Sequence, residues 1–300
     1  MMIFRKFSKN IPFHLMLLPG IVLALMFAYA PMAGLVIAFQ KFIPNRGFFQ
    51  SKWVGWDNFV YMMNMPDIYQ VIYNTVFIAL MKIIAGLLVP IIVALLLNEL
   101  KNKFITRSVQ TMIYLPHFLS WVILGGILLD ILSVEGGVVN RLIQLIGLDP
   151  VFFLGSNRWF PFTLVISDVW KEFGFATIVY LAALTGINPA LYEAANIDGA
   201  SRWKQTLHVT LPGMLPIIVL MGVLSLGNVL NAGFEQVFIL YSPSVYESGD
   251  IIDTMLYRIG FLDAQYGVST AVGLFKSVIS TILITTSYWL AYRFAGYRIF

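Results

Sequence analysis

The residues able to do chemistry in this sequence lie where charges and amides are costly. Asp168, Lys171 and Glu172 sit inside an apolar run at about 161–185, with Trp170 and Phe173 beside them. Ser225, Asn228, Asn231 and Glu235 recur at intervals of three, three and four through an apolar run at about 213–234. As a helix, that run sets all four within a narrow arc of one face. Ionisable groups inside an apolar span are expensive unless paired or facing water, so they are functional candidates by default. Their chemistry is the binding of a polar solute, with carboxylates and amides as hydrogen-bond partners and rings as flat apolar faces. Each set also has a structural reading. Asp168 lies within reach of Lys171 on one helical face, and such a pair can merely steady a bundle. The stripe can be a helix–helix seam, with Gly222, Gly227 and Gly233 thinning the same helix. Lys82 and Lys276 interrupt other apolar runs without a sequence-local acid. His117 follows Pro116 with no second histidine at metal spacing, and it reads as a structural residue.

Bond-making chemistry finds little support. The chain has no cysteine, which excludes disulfides, thiolate metal sites and cysteine nucleophiles. The phosphate-binding pattern Gly-x-x-x-x-Gly-Lys-Ser/Thr does not occur, so any nucleotide hydrolysis must come from another subunit. No nucleophile–base pair and no histidine-rich set stands out, and neither a catalytic residue nor a metal site is expected. Nucleic-acid binding is not expected either, because no basic patch with interleaved aromatics lies outside the apolar runs.

The elements that must position these residues are membrane spans. Of 300 residues 59% are hydrophobic and only 11% charged, and the mean hydropathy is +0.82. About twenty apolar residues cross a bilayer core, and six runs qualify: about 13–39, 71–97, 109–132, 161–185, 213–234 and 268–292. The first is too long for the core of a signal peptide, usually about 7–15 residues, and it should bend near Pro19 or Pro31. Residues 40–70 are mixed and aromatic, holding Trp53, Trp56 and Phe59. With the N-terminus inside, Arg5, Lys6, Lys9, Lys101, Lys103, Arg107, Arg202, Lys204, Arg293 and Arg298 face the cytoplasm. Lys41, Arg46, Lys52, Arg141, Arg158 and Arg258 then fall outside. The excess of basic residues inside favours that orientation, with both termini cytoplasmic. The outer loop at about 236–267 carries Tyr241, Tyr246, Glu247, Asp250 and Asp253, and reads either as a partner-receiving surface or as an interfacial aromatic belt.

The inner loop after the fourth run is the one polar, structured segment. Asn188 is a good N-cap and Pro189 suits the first helical position, so a short helix should run to about Ile197. Gly199 supplies the left-handed residue that ends it. Ser201 can cap a second short helix, which Pro212 and Pro216 close or bend. Asp198 is expected to hold the turn through backbone amides, and Glu193 to pair with a basic residue here or on a partner. Leu191, Tyr192 and Ile197 offer apolar anchors, and Ala194 and Ala195 permit close approach.

Glu193-Ala194-Ala195, Gly199 and Ala200, then Val209, Leu211 and Pro212, resemble the EAA loop of binding-protein-dependent ABC importer permeases. Valine at 209 departs from the isoleucine common there. Tyr114 through Trp121, Asp168 through Lys171, Gly233 through Gln236 and Ile251 through Thr254 are similar to LplB-type permeases of the carbohydrate-uptake branch, as is the run from Pro90 to Glu99.

The resemblance implies an all-α integral membrane protein with the six-helix type I ABC importer permease fold. Residues 1–300 would form a single transmembrane domain, with the coupling loop at about 186–212. It implies uptake of oligosaccharides delivered by an extracytoplasmic solute-binding protein, across a bacterial cytoplasmic membrane that this chain crosses repeatedly. Two ATPase subunits would bind ATP and magnesium, this chain holding no cofactor, and a second homologous permease would complete a heterodimer. The coupling helix would dock in the ATPase through Tyr192, Glu193, Ala194, Ala195, Ile197, Asp198, Gly199 and Ala200, with Leu211 and Pro212 closing the motif. Asp168, Trp170, Lys171, Glu172, Ser225, Asn228, Asn231 and Glu235 would line the sugar path. A permease for a non-sugar solute is the alternative. An ion-coupled transporter would instead need an inverted repeat or broken helices, neither of which is legible.

Overall fold

Apolar runs longer than a bilayer is thick become long helices, and the prolines, glycines and asparagines within them decide where they break. In the computed structural model, residues 2–100 and 102–295 are described, with side chains from Ile11 onward except at 290, 291, 294 and 295. The side chains of Arg5, Lys6 and Lys9, the residues Lys101 and Arg298, and both chain ends lie outside what is described.

Helix α1 (Met2–Ala24) passes Pro19 without a break. It then widens to a π-helical turn at Leu25–Tyr29 and tightens to a 3-10 helix at Ala30–Phe39. The irregularity thus falls at Pro31, which lacks an amide hydrogen and crowds the preceding turn. Strands β1 (Gln40–Lys41) and β2 (Lys52–Trp53) follow as a small antiparallel ribbon, Gln40 opposite Trp53. Helix α2 (Ile68–Glu99) carries Pro90 internally. Next come α3 (Lys103–Tyr114), a tight turn at Leu115–Phe118, and α4 (Trp121–Ile131). The expected third span is therefore broken, with a bend of 105°. Pro116 supplies the tight turn and Ser120 restarts the helix, its Oγ accepting from the Ile123 amide at 3.4 Å.

Helix α5 (Phe160–Thr185) meets α6 (Pro189–Ile197) at 70°. Helix α7 (Arg202–Gln205) leads through a π-helical turn at Thr206–Thr210 into α8 (Leu211–Leu226). The second short helix of the loop is therefore not closed at Pro212. It is the first part of a continuous 25-residue span, Arg202–Leu226. Pro212 sits early in α8, where a missing amide costs little. The expected span at 213–234 in turn ends early. Residues 227–233 are unwound, and α9 (Phe234–Leu240) starts anew behind Gly233. Helix α10 (Tyr266–Ala295) is the last. Among the described residues, four stretches are long and apolar enough to cross a membrane by themselves, and six if each bent pair counts as one.

Two compact units emerge: the residues up to Met65 with Leu256–Phe275, and Pro66–Met255 with the residues from Lys276 on. In the second unit, one buried cluster joins Ile78, Leu128, Phe160, Leu164, Val237 and Ile251, around the broken end of the fifth span. Another joins Ile91, Ala94, Tyr180, Leu184 and Met214, beside the loop. Within a bilayer such clusters gain from close packing rather than from escape from water.

Candidate functional site

Helix α8 stops at Leu226 because residues 227–233, Gly-Asn-Val-Leu-Asn-Ala-Gly, favour turns over helix. Gly233 has φ +93, a left-handed conformation that costs a side-chain residue roughly 1–2 kcal/mol. The break frees the Ala232 carbonyl, and Lys82 of α2 takes it, Nζ donating at 2.7 Å. Nζ also donates to Asp168 Oδ1 at 3.2 Å and to Gln236 Oε1. Lys82 is 8% exposed and Gln236 is fully buried. Gln236 Nε2 donates onward to the Leu164 carbonyl and to Ser167 Oγ, each at 2.8 Å. A buried ammonium thus joins α2, α5 and the start of α9. A Cβ at residue 233 would come within 2.8 Å of Lys82 Nζ, so glycine there also makes room for the ammonium.

A cavity of about 490 Å³ opens beside this junction. Lys82, Asp168 and Glu172 line one side, and Ser225, Asn228 and Asn231 the other. Asn231 Nδ2 donates weakly to Asn228 Oδ1 at 3.3 Å, leaving further donors and acceptors on both amides for a solute. Carboxylate, amide and hydroxyl groups converge there with no histidine in the lining, an arrangement for binding a hydroxylated solute by many hydrogen bonds.

Some expected members are absent. Asp168 pairs with Lys82, not Lys171. Lys171 does not line the cavity and donates to Glu172 Oε1 at 2.7 Å and to the His117 carbonyl at 3.0 Å. His117 Nδ1 lies 2.7 Å from Glu172 Oε2, and its ring stacks on Phe175 at 4.1 Å. Trp170 faces a separate, largely apolar cavity of about 290 Å³ with Leu128 and Phe153. Glu235 lies past the helix break, exposed and outside the cavity lining. Lys276 pairs with Asp253 at 2.5 Å, and Asp250 is buried, accepting from Thr254 Oγ1 at 2.7 Å. Both acids are therefore committed within the chain. Lys82 and Gln236 were the residues missed. In the sequence Lys82 shows only as a cation inside an apolar run with no sequence-local acid.

The loop between α5 and α8 keeps its caps. Asn188 Oδ1 accepts from the Ala190 amide at 3.0 Å, and Ser201 Oγ from the Lys204 amide at 3.4 Å. Gly199 is left-handed, φ +75, and the Ala200 amide closes back on the Ala195 carbonyl at 2.9 Å. Leu191 and Ile197 are 52% and 87% exposed. Glu193 is exposed, and among the described residues it finds no ionic partner. The Asp198 side chain does not hold the turn. Gln205 does, Nε2 donating to Asn196 Oδ1 at 2.7 Å and to the Ala200 carbonyl at 2.9 Å. Tyr192 and Thr210 add a hydroxyl pair at 3.0 Å. No group of three or more metal-ligating side chains occurs among the described residues.

Comparison with known proteins converges on one family. Residues 86–296 match the family described as "Binding-protein-dependent transport system inner membrane component". The chain is 40% identical over 281 residues to the polygalacturonan/rhamnogalacturonan transport system permease protein YteP of Bacillus subtilis (strain 168), covering 94% of this chain and 88% of that protein. Protein LplB of the same organism matches with the same identity and coverage. A chain in the crystal structure of a bacterial ABC transporter involved in import of the acidic polysaccharide alginate superposes with TM-score 0.90 at 39% identity, covering 98% of this chain and 99% of that one. The same type of transporter, in complex with an alginate pentasaccharide-bound periplasmic protein, gives TM-score 0.88 at 39% identity and 96% coverage of each chain.

Proposed function

This chain belongs to the family of binding-protein-dependent transport system inner membrane components, and from that premise we propose that oligosaccharides cross the membrane along its polar cavity. It is the permease subunit of an ABC importer and not an enzyme, ATP hydrolysis belonging to a separate subunit. The observation that carries the sugar reading is the convergence of Asp168, Glu172, Ser225, Asn228 and Asn231 on one cavity inside the apolar helices. Sugars offer dense hydroxyl groups, and a solute held by many modest hydrogen bonds can also be released. One named relative belongs to a polygalacturonan/rhamnogalacturonan transport system and another to an importer of the acidic polysaccharide alginate, which supports uronate-containing oligosaccharides as the first substrates to try.

The rest of the machine follows as proposal. The exposed helix Pro189–Ile197, with Leu191 and Ile197 bare, serves as the handle for an ATPase subunit that binds ATP and magnesium. The chain sits in a bacterial cytoplasmic membrane with both termini and this loop inside. It pairs with a second, different permease and two ATPase subunits, and receives its sugar from a solute-binding protein. Alternating access then requires ligands with different affinities for the inward- and outward-open states.

The test is uptake by proteoliposomes holding the whole complex, supplied with binding protein and either galacturonate or neutral oligosaccharides. Asn228→Ala with Asn231→Ala should lower sugar uptake about tenfold, a loss of about 1.4 kcal/mol in transport-competent binding, with the melting temperature unchanged. Parallel losses in uptake and melting temperature would reassign both amides to packing. No uptake of any oligosaccharide by the wild-type complex would overturn the sugar reading.

A further inference from the structure

We propose that Gln205 is a positioning residue that locks the coupling helix to the fifth transmembrane helix, so that the two move as one body. The proposal rests on the reading of Pro189–Ile197 as the ATPase handle and deepens it. Gln205 is 5% exposed, although Arg202, Trp203 and Lys204 beside it face outward. A buried carboxamide is retained only where its hydrogen bonds are made. Its nitrogen bridges Asn196 Oδ1 in the last turn of α6 and the Ala200 carbonyl just beyond the left-handed Gly199. Tyr192, one helical turn earlier on α6, bonds Thr210, which is 4% exposed and bonds back to the Gln205 carbonyl at 3.4 Å.

Two attachment points fix rotation as well as position, which a single bond would not. The π-helical turn at Thr206–Thr210 makes this possible, because its wider winding brings residues five apart onto the same face. From Gln205 the helix runs unbroken to Leu226. The 25 residues from Arg202 extend about 37 Å at 1.5 Å per residue, and they end beside Ser225 in the polar cavity. The other connection, from α6 back to α5, passes through a sharp bend at residues 186–188. The clamped route is held by side-chain hydrogen bonds and continues as one helix, whereas the bent one turns through 70°. Displacement of the handle therefore reaches the cavity through the fifth helix, and Gln205 sets how much of it arrives.

The test uses the complete reconstituted importer, with Gln205→Ala and Thr210→Val made singly and together. The double variant should still co-purify with the ATPase subunits and hydrolyse ATP, while sugar transported per ATP falls at least fivefold. KM for the loaded binding protein should stay unchanged as maximal uptake drops. Thr210→Ser, which keeps the hydroxyl, should restore wild-type coupling and also covers the case in which the valine variant fails to insert. Wild-type sugar per ATP in the double variant overturns the clamp. So does a lowered melting temperature with sugar per ATP unchanged, since that marks a purely structural contact. Failure of the wild-type chain to bind any ATPase would instead overturn the handle itself.

Discussion

Lys82 shows how one intramembrane charge organises its surroundings. Its ammonium satisfies a carboxylate, a side-chain amide and a backbone carbonyl released by a broken helix. Lys82→Met would strip all three at once, leaving Asp168 in place, and breaking a buried pair from one side costs about 3–5 kcal/mol. Asp168 retains access to the cavity, so the low end of that range is expected. Asp168→Asn removes the counter-charge but keeps an acceptor for the ammonium, and should cost about 2 kcal/mol, the scale of a hydrogen bond to a charged group. Thermal unfolding in detergent, compared across both variants, checks the order, and a larger loss for Asp168→Asn would contradict it. The lysine was visible in the sequence as costly, yet its partners were not, because they lie 86 and 154 residues away. The local rule that pairs residues three or four apart favoured Lys171 for Asp168. The fold instead gave Lys171 to its neighbour Glu172 and a carbonyl.

At the scale of elements, what was legible depended on whether the signal was local. The caps of the inner loop are local: Asn188, Ser201 and Gly199 act within three residues, and all three do what their chemistry demands. The break in the fifth span was misread because Ser225, Asn228, Asn231 and Glu235 fit a helical period so well. The competing signal was present in the glycines and asparagines of 227–233, which compete with helix through turn and left-handed conformations. Ser225, Asn228 and Asn231 still meet at one cavity, on a helix end and an unwound segment rather than on one face. Glu235 does not, since the periodicity that included it ends at the break. Gly199 gives the corresponding prediction for the loop. Its φ of +75 suits glycine and is tolerated by asparagine, while a β-branched residue is a genuine outlier there. Gly199→Asn should keep ATP-driven uptake within about twofold, about 0.4 kcal/mol. Gly199→Val and Gly199→Pro should abolish uptake while the chain still inserts. Equal uptake by all three variants would separate the turn from coupling.

For the whole molecule, the order of spans fixes which loops share a side of the membrane. With Lys103–Phe118 and Trp121–Ile131 counted as one bent span and Phe160–Thr185 as the fourth, Lys52 follows the first span and Asp149 the third, whereas Lys103 follows the second and Ser201 the fourth. Odd and even loops face opposite sides, so Lys52 and Asp149 should share one surface, and Lys103 and Ser201 the other. The basic residues favour the cytoplasm for the second surface, where an ATPase could reach α6. The absence of cysteine in the chain makes the assignment directly measurable. Lys52→Cys, Asp149→Cys, Lys103→Cys and Ser201→Cys, one at a time, place single thiols at positions that are exposed in the structure. A membrane-impermeant maleimide added to intact spheroplasts should label the first two. The second two should react only after the membrane is permeabilised. Labelling of Ser201→Cys from outside would turn the handle away from any cytoplasmic ATPase and overturn the coupling assignment with it. Labelling that sorts Lys52 and Asp149 to different sides would show instead that one bent pair does not cross as a single span.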